Sequence, residues 1–320
     1  MRFDINYRTT FSYDDLVRES QNELRACPAA DELQQLVSYR VSTVPPARVL
    51  SFTDYWGTRV DAFGVRVPHL FLEVTAEASV ETRPRPLLVS TAPAESLVEE
   101  SFVDAHAEYL APSAHADWGR GVEDLAARAV VVAGDDVTSQ VLAVHRAASA
   151  ALTYEAGATY VGVDVEDVLA GRAGVCQDYA HLAIAMCRSR GIPARYVSGY
   201  MFTVSDATGE DAAGDVVTVQ THAWFEAAVP GVGWIALDPT NRQQVAERHV
   251  KIGHGRDYDD VLPLRGVFSG ATDASVSAVV EIRRATPGTR PAVAGRGGRS
   301  RSTGGDPPLS MSDDGSQQQQ

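Results

Sequence analysis

The chain has almost no lysine: Lys251 is the only one in 320 residues, every other cation is an arginine, and 28 basic residues face 42 acidic ones for a formal charge of -14. Without clustered cations the surface offers phosphate backbones no general attraction, so nucleic acid is excluded as an expected partner. Cysteine is also scarce. Cys27, Cys176 and Cys187 form an odd set with no CxxC spacing, which indicates neither a disulfide framework nor a zinc or redox pair, and a reducing cytoplasm is the expected compartment. No uncharged apolar stretch approaches the roughly 18 residues of a membrane-spanning helix. The amino terminus lacks a basic start and an unbroken apolar run, so it is not read as a secretion signal. A soluble protein without a membrane partner is expected, and no repeat of solenoid period is present.

What remains is a composition that is 44% hydrophobic, enough for a sizeable interior, in a chain longer than the usual single domain. Residues 1–90 alternate apolar and polar positions, with Phe3, Ile5 and Tyr7 on one face and Val60, Ala62, Leu72 and Val74 later. Pro45-Pro46, Trp56-Gly57 and Gly64 break the runs, which predicts a small antiparallel sandwich. Residues 91–284 read as a second unit. Helical periods fill 94–154, with Asp135-Asp136 placed to cap a helix that carries His145, expected to be a partly buried or surface residue. After Cys176, the spacing of Tyr179, Leu182, Ala183, Met186 and Cys187 predicts a helix with one apolar stripe, ended by Gly191 and Pro193. Strands are expected near 194–204, 216–229 and 234–238, with an acidic loop at 206–215 between two of them, and a last strand at 276–282. Residues 285–320 are too poor in apolar residues to repay the entropy of folding and read as a disordered tail. The fold class is α+β.

The chemistry centres on Cys176. Free cysteine has a pKa of about 8.5 and is nucleophilic only as thiolate. A helix that begins at the cysteine directs unpaired N–H groups and positive dipole at the sulfur, and a neighbouring histidine can hold the proton. The glycines at 171 and 174 lack bulk where a substrate backbone would approach, and the Cys176 N–H can serve an oxyanion. If the turn after Val229 centres near Pro230, opposed residues sum to 460, so His222 faces Asp238 across the hairpin on one side of the sheet. Trp224 and Trp234 would flank the pair as shields or cleft walls. An aspartate on the imidazole fixes its tautomer and leaves the other nitrogen for the thiol. Taken singly, a cysteine at a helix start is most often merely buried and an Asp before Pro is most often a turn former. Together, in this order and register, Cys176, His222 and Asp238 are expected to form a catalytic triad. Gln177 and Asp178 are expected to serve the helix start, His181 to face solvent or cap a loop, and Cys27 and Cys187 to be inert.

Gly174-Val175-Cys176-Gln177-Asp178-Tyr179, Gly191-Ile192-Pro193-Ala194-Arg195-Tyr196, His222-Ala223-Trp224-Phe225-Glu226 and Trp234-Ile235-Ala236-Leu237-Asp238-Pro239-Thr240-Asn241 together resemble the bacterial transglutaminase-like superfamily. The segment from Tyr7 to Pro28, with Leu24-Arg25-Ala26-Cys27-Pro28, resembles the β-rich amino-terminal domain of one bacterial branch. In that branch a segment like Gly255-Arg256-Asp257-Tyr258 follows the core; one departure is Gly57-Thr58, where Gly-Asn is frequent. The resemblance implies a papain-like core, acyl-transfer chemistry, a nucleophile at Cys176, a base at His222 and an orienting acid at Asp238.

Three functions are compatible with these residues: a cysteine hydrolase acting on peptide, isopeptide or other amide bonds, an acyl transferase to amines, and a peptide-binding module without catalysis. An intact triad favours the enzymes, and hydrolysis asks least of the site. The expected partner is a peptide or protein substrate carrying the amide. No cofactor or metal is expected, since no ligand spacing or EF-hand-like loop occurs. The acidic loop is a solvated loop or a rim preferring basic substrates.

Overall fold

Residues 1–85, 91–203 and 216–285 are described by the computed structural model of the chain. Alternation at the amino terminus extends into β1 (Arg2–Val17) and puts Phe3, Ile5 and Tyr7 on a buried face. β2 (Glu19–Leu24), β3 (Gln34–Val44), β4 (Val49–Thr53), β5 (Arg59–Val65) and β6 (His69–Thr82) follow, all paired antiparallel. The helices come next: α1 (Glu100–His106), α2 (Arg120–Ala133) and α3 (Val137–Ala151). The expected cap is made by Asp136, which accepts from the Ser139 N–H at 2.8 Å.

β7 (Thr153–Tyr154), α4 (Val165–Gly171) and β8 (Ala173–Gly174) lead into α5 (Cys176–Arg188), and Gly191 at φ +71° closes the turn beyond it. α5 differs from its expected single stripe, because every residue from Gln177 to Arg188 is buried. α2, α3 and α4 cover one side and the central sheet the other. Its polar side chains are satisfied inside; Arg188 donates to the carbonyls of Ala111, Ala194 and Arg256.

The chain continues through β9 (Ala194–Met201), β10 (Val216–Val219), β11 (His222–Val229), β12 (Gly233–Asp238), β13 (Gln243–Gln244) and β14 (His249–Gly255). Five of these form an antiparallel sheet of order β13-β12-β11-β9-β14. Ala223, Phe225 and Ala227 of β11 face the helical core. Tyr200, Phe202, Val250 and Ile252 join Phe3, Ile5 and Tyr7 in a second core that the two units share.

The last two strands, β15 (Leu264–Ser269) and β16 (Ala274–Arg284), return to the amino-terminal unit, although the sequence pattern groups them with residues 91–284. β15 joins β2 at the edge of the order β15-β2-β5-β4, and β16 lies between β1 and β10 in the order β10-β16-β1-β6-β3. Periodicity gives a strand at 276–282 but not the identity of its neighbours, and Val280 and Ile282 bury themselves against β1. Among the described residues no helix is long and apolar enough to cross a membrane.

Candidate active site

Cys176 opens α5 and is half-buried. As the first helical residue it has an N–H with no intrahelical acceptor. Asp178 is tied to the helix start: its Oδ2 accepts from the Val175 N–H at 2.7 Å and from the Thr159 hydroxyl at 2.5 Å. Burial raises the pKa of this carboxyl. Gly174 serves this cap instead of a substrate backbone, since a Cβ there would lie 2.8 Å from both Cβ and Oδ2 of Asp178. Gly171 borders open space.

The hairpin that carries the histidine and the aspartate has a different register from the one expected. Val229 pairs with Gly233 and Phe225 with Leu237, a sum of 462, because the turn centres on Gly231 at φ +71° and not on Pro230. Extending that register puts Asp238 opposite Trp224, so His222 and Asp238 are diagonal neighbours. A slip of two residues preserves the face. The ring therefore still reaches the carboxylate, and His222 Nε2 donates to Asp238 Oδ2 at 2.8 Å. The Cys176 thiol is hydrogen-bonded to the same ring, and Nδ1 is the nitrogen left for it. Burial alone would depress the His222 pKa, but the bonds and charges of Asp238 and Cys176 outweigh it and hold it up at about 10. Burial opposes the Asp238 charge too. Hydrogen bonds from His222, His249 and Asn241 nonetheless keep its carboxyl well below the usual range.

Four residues around Asp238 were not singled out for this role by sequence reasoning. Asn241 donates its backbone N–H to Oδ1 at 3.1 Å and its amide to Oδ2 at 2.8 Å. His249 Nε2 lies 3.1 Å from Oδ2. His145, buried on α3, contacts the Asp238 carbonyl through Nε2 at 3.0 Å, and one turn later the Ser149 hydroxyl donates to the Pro239 carbonyl at 2.6 Å. The i, i+4 spacing of His145 and Ser149 was a visible signal, but their target lies about 90 residues away in sequence.

The ligand atoms of His222, Asp238 and His249 lie within 4.8 Å of one another, the spread of a metal site. Their chemistry is already committed, however. His249 Nδ1 accepts from the Ala246 N–H at 3.2 Å, so Nε2 carries the proton and has no lone pair for a cation.

Cys176 and His222 open on a cleft of about 510 Å³, whose walls include Tyr154, Val175, Met201, Val219, Thr221 and Asn241. Neither tryptophan is a wall. Trp224 is fully buried with Val197, Ala236 and Val245, and Trp234 lies under the Arg195 guanidinium at 3.8 Å, beside Tyr109. Of the two settings expected for His181 the structure has the second: it is buried, accepts the Tyr258 N–H of the segment after β14 and stacks on Tyr196. Cys27 and Cys187 are buried thiols. The acidic loop at 206–215 lies outside the described residues.

The fold and site define a class: an α+β protein in which a cysteine at the start of a central helix meets a histidine and an aspartate from an antiparallel sheet. The chain belongs to the transglutaminase-like superfamily, whose model matches residues 124–239, and residues 3–81 match the bacterial transglutaminase-like N-terminal region. It is 36% identical to an uncharacterized protein of Mycobacterium leprae over 88% of this chain and 99% of that one. A protein-glutamine gamma-glutamyltransferase of Pseudomonas aeruginosa is 38% identical over 86 residues, covering 26% of this chain and 12% of that protein. The crystal structure of a candidate cysteine protease from Cytophaga hutchinsonii, 26% identical, superimposes with a TM-score of 0.64 over 87% of this chain and 90% of its own.

Proposed function

We propose that this protein is a cysteine-nucleophile enzyme that hydrolyses peptide, isopeptide or other amide bonds of a peptide or protein substrate, through a thioester on Cys176, in the cytoplasm. The observation that carries the reading is the line of contacts from Asp238 through His222 to the Cys176 thiol, opening on the cleft. With its proton on His222, the sulfur attacks the carbonyl carbon, and the developing oxyanion lies within the reach of the helix-start N–H groups. The C–N bond then breaks and the amine leaves with the proton from His222. Water gives a proton to His222 and attacks the thioester, the C–S bond breaks, and the acid departs.

Transfer to an amine uses the same thioester and is favoured by the likeness to the Pseudomonas transferase. Hydrolysis is the better reading because the described cleft walls carry no Asp or Glu to gather a cationic amine. Incubation with a glutamine- and peptide-bearing library and excess labelled primary amine tests the choice. The single lysine, Lys251, is buried against both oxygens of Glu226, so no exposed lysine of the enzyme competes. Shorter peptides or a deamidation mass shift, absent in Cys176→Ala, are expected; dominant incorporation of the amine would overturn hydrolysis in favour of transfer.

A further inference from the structure

The geometry points to His249 as a positioning residue for the proposed triad: a neutral imidazole that donates its Nε2–H to Asp238 and fixes the carboxylate on which His222 depends. This inference rests on the triad reading and adds to it a residue that does not touch substrate.

Three observations carry it. First, the tautomer is set by the backbone. His249 begins β14, three residues after Ala246, and its Nδ1 accepts the Ala246 N–H at 3.2 Å. A nitrogen that accepts holds a lone pair, so in the neutral ring the proton lies on Nε2, the atom 3.1 Å from Asp238 Oδ2. Secondly, the side chain is 1% exposed. It meets Trp224 edge-on at 5.4 Å and His222 at 6.0 Å between centroids, so it cannot turn to solvent and give the bond up.

Thirdly, the acceptor is shared. Asp238 Oδ2 takes His222, His249 and the Asn241 amide, while Oδ1 takes the Asn241 N–H. An anion with no exposed surface depends on these donors for stabilisation that water would otherwise give. His249 is the one side-chain donor in this set that is itself buried and lies outside the cleft. Its place is therefore that of a fixed strut on the carboxylate, outside the walls of the cleft on which the sulfur opens.

The test separates a donor from a filler. His249→Phe keeps the ring volume and removes the N–H, whereas His249→Gln keeps a donor near the Nε2 position. Iodoacetamide alkylation of Cys176 in the full chain at mildly acidic pH needs no knowledge of the substrate. A lost hydrogen bond to a charged group is worth about tenfold to a hundredfold in rate, so the Phe variant should fall by that amount and the Gln variant should recover most of it. Equal loss in both, or no loss in the Phe variant, overturns the role.

Should either variant unfold, Cys27 and Cys187 become labelled, and the wild-type tautomer then decides. Two-bond ¹H–¹⁵N correlation spectra of the wild type at neutral pH, assigned through the ring's Overhauser contacts with Trp224, should read His249 as neutral with its proton on Nε2. A proton on Nδ1, or an imidazolium, overturns the role without any reference to the variants. A wild-type Cys176 no faster than Cys27 and Cys187 would overturn the triad, and the positioning role with it. A reactive Cys176 indifferent to His249→Phe would overturn the positioning role alone.

Discussion

At the scale of single residues, the three thiols share a chemistry and differ in setting. Burial pushes the Cys27 and Cys187 thiols up to about 12, while Cys176 borders the cleft with His222 beside it. Iodoacetamide at mildly acidic pH should therefore modify Cys176 well before the others, and equal labelling, read by peptide mass mapping, would contradict the proposed thiolate. His222→Ala should abolish that preference and lower turnover by about 10² to 10⁴. The raised pKa also has a consequence for stability. His222 titrates at about 10 when folded and near 6.5 when unfolded, so its stabilisation is full below about 6.5 and is lost as pH rises through about 10. The melting-temperature advantage of the wild type over His222→Gln should shrink across that window; an advantage that grew with pH would reverse the sign. Asp238 has the opposite dependence, its contribution being present at neutral pH and lost in acid.

At the scale of elements, the site was legible wherever chemistry and local periodicity coincide. The Cys176 helix start is announced by its sequence, and Asp136 by its cap. The hairpin was readable only in part: alternation assigned His222 and Asp238 to one face, but Pro230-Gly231-Val232-Gly233 can place its centre at more than one residue, and the two-residue shift followed. What lay behind Asp238 was not legible, because His145, Ser149 and His249 reach it from α3 and β14, elements whose contacts no local pattern encodes. The same holds for Glu226, where β11, β9 and β14 bring one carboxylate to two cations. Arg195 is its directly opposed neighbour at 2.6 Å, and Lys251 Nζ lies 2.8 Å from Oε2. Burial works against the Glu226 charge, but these cations hold its carboxyl well below the usual range. Glu226→Gln would leave two buried cations without their anion. A cost of about 3 to 5 kcal/mol is expected in denaturant unfolding, and a loss under about 1 kcal/mol would mean that other groups neutralise them.

At the scale of the whole molecule, the amino-terminal sandwich is bound into the core rather than appended to it. β16 lies between β1 and β10, and β10 ends at Val219, a wall of the cleft three residues before His222. Tyr200, Phe202, Val250 and Ile252, none more than 4% exposed, are covered by the face that carries Phe3, Ile5 and Tyr7, with Phe3 and Phe202 at 5.2 Å between ring centroids. A chain beginning at residue 91 would expose all four. At about 1.5 to 3 kcal/mol for each large apolar side chain, the loss is roughly 6 to 12 kcal/mol, which is comparable with the entire stability of a typical domain, about 5 to 15 kcal/mol. β16, the neighbour of β10, would also have an edge where β1 had been. Such a chain should show no cooperative melting transition and should label its cysteines without selectivity, whereas a chain ending at Ala285 keeps every described strand and should melt within a few degrees of the full protein. A cooperative transition with selective Cys176 labelling in the shortened core would mean that the site assembles without the sandwich. In that case the shared core would contribute adhesion between two self-sufficient units, and the wall formed by β10 would be held by β16 alone.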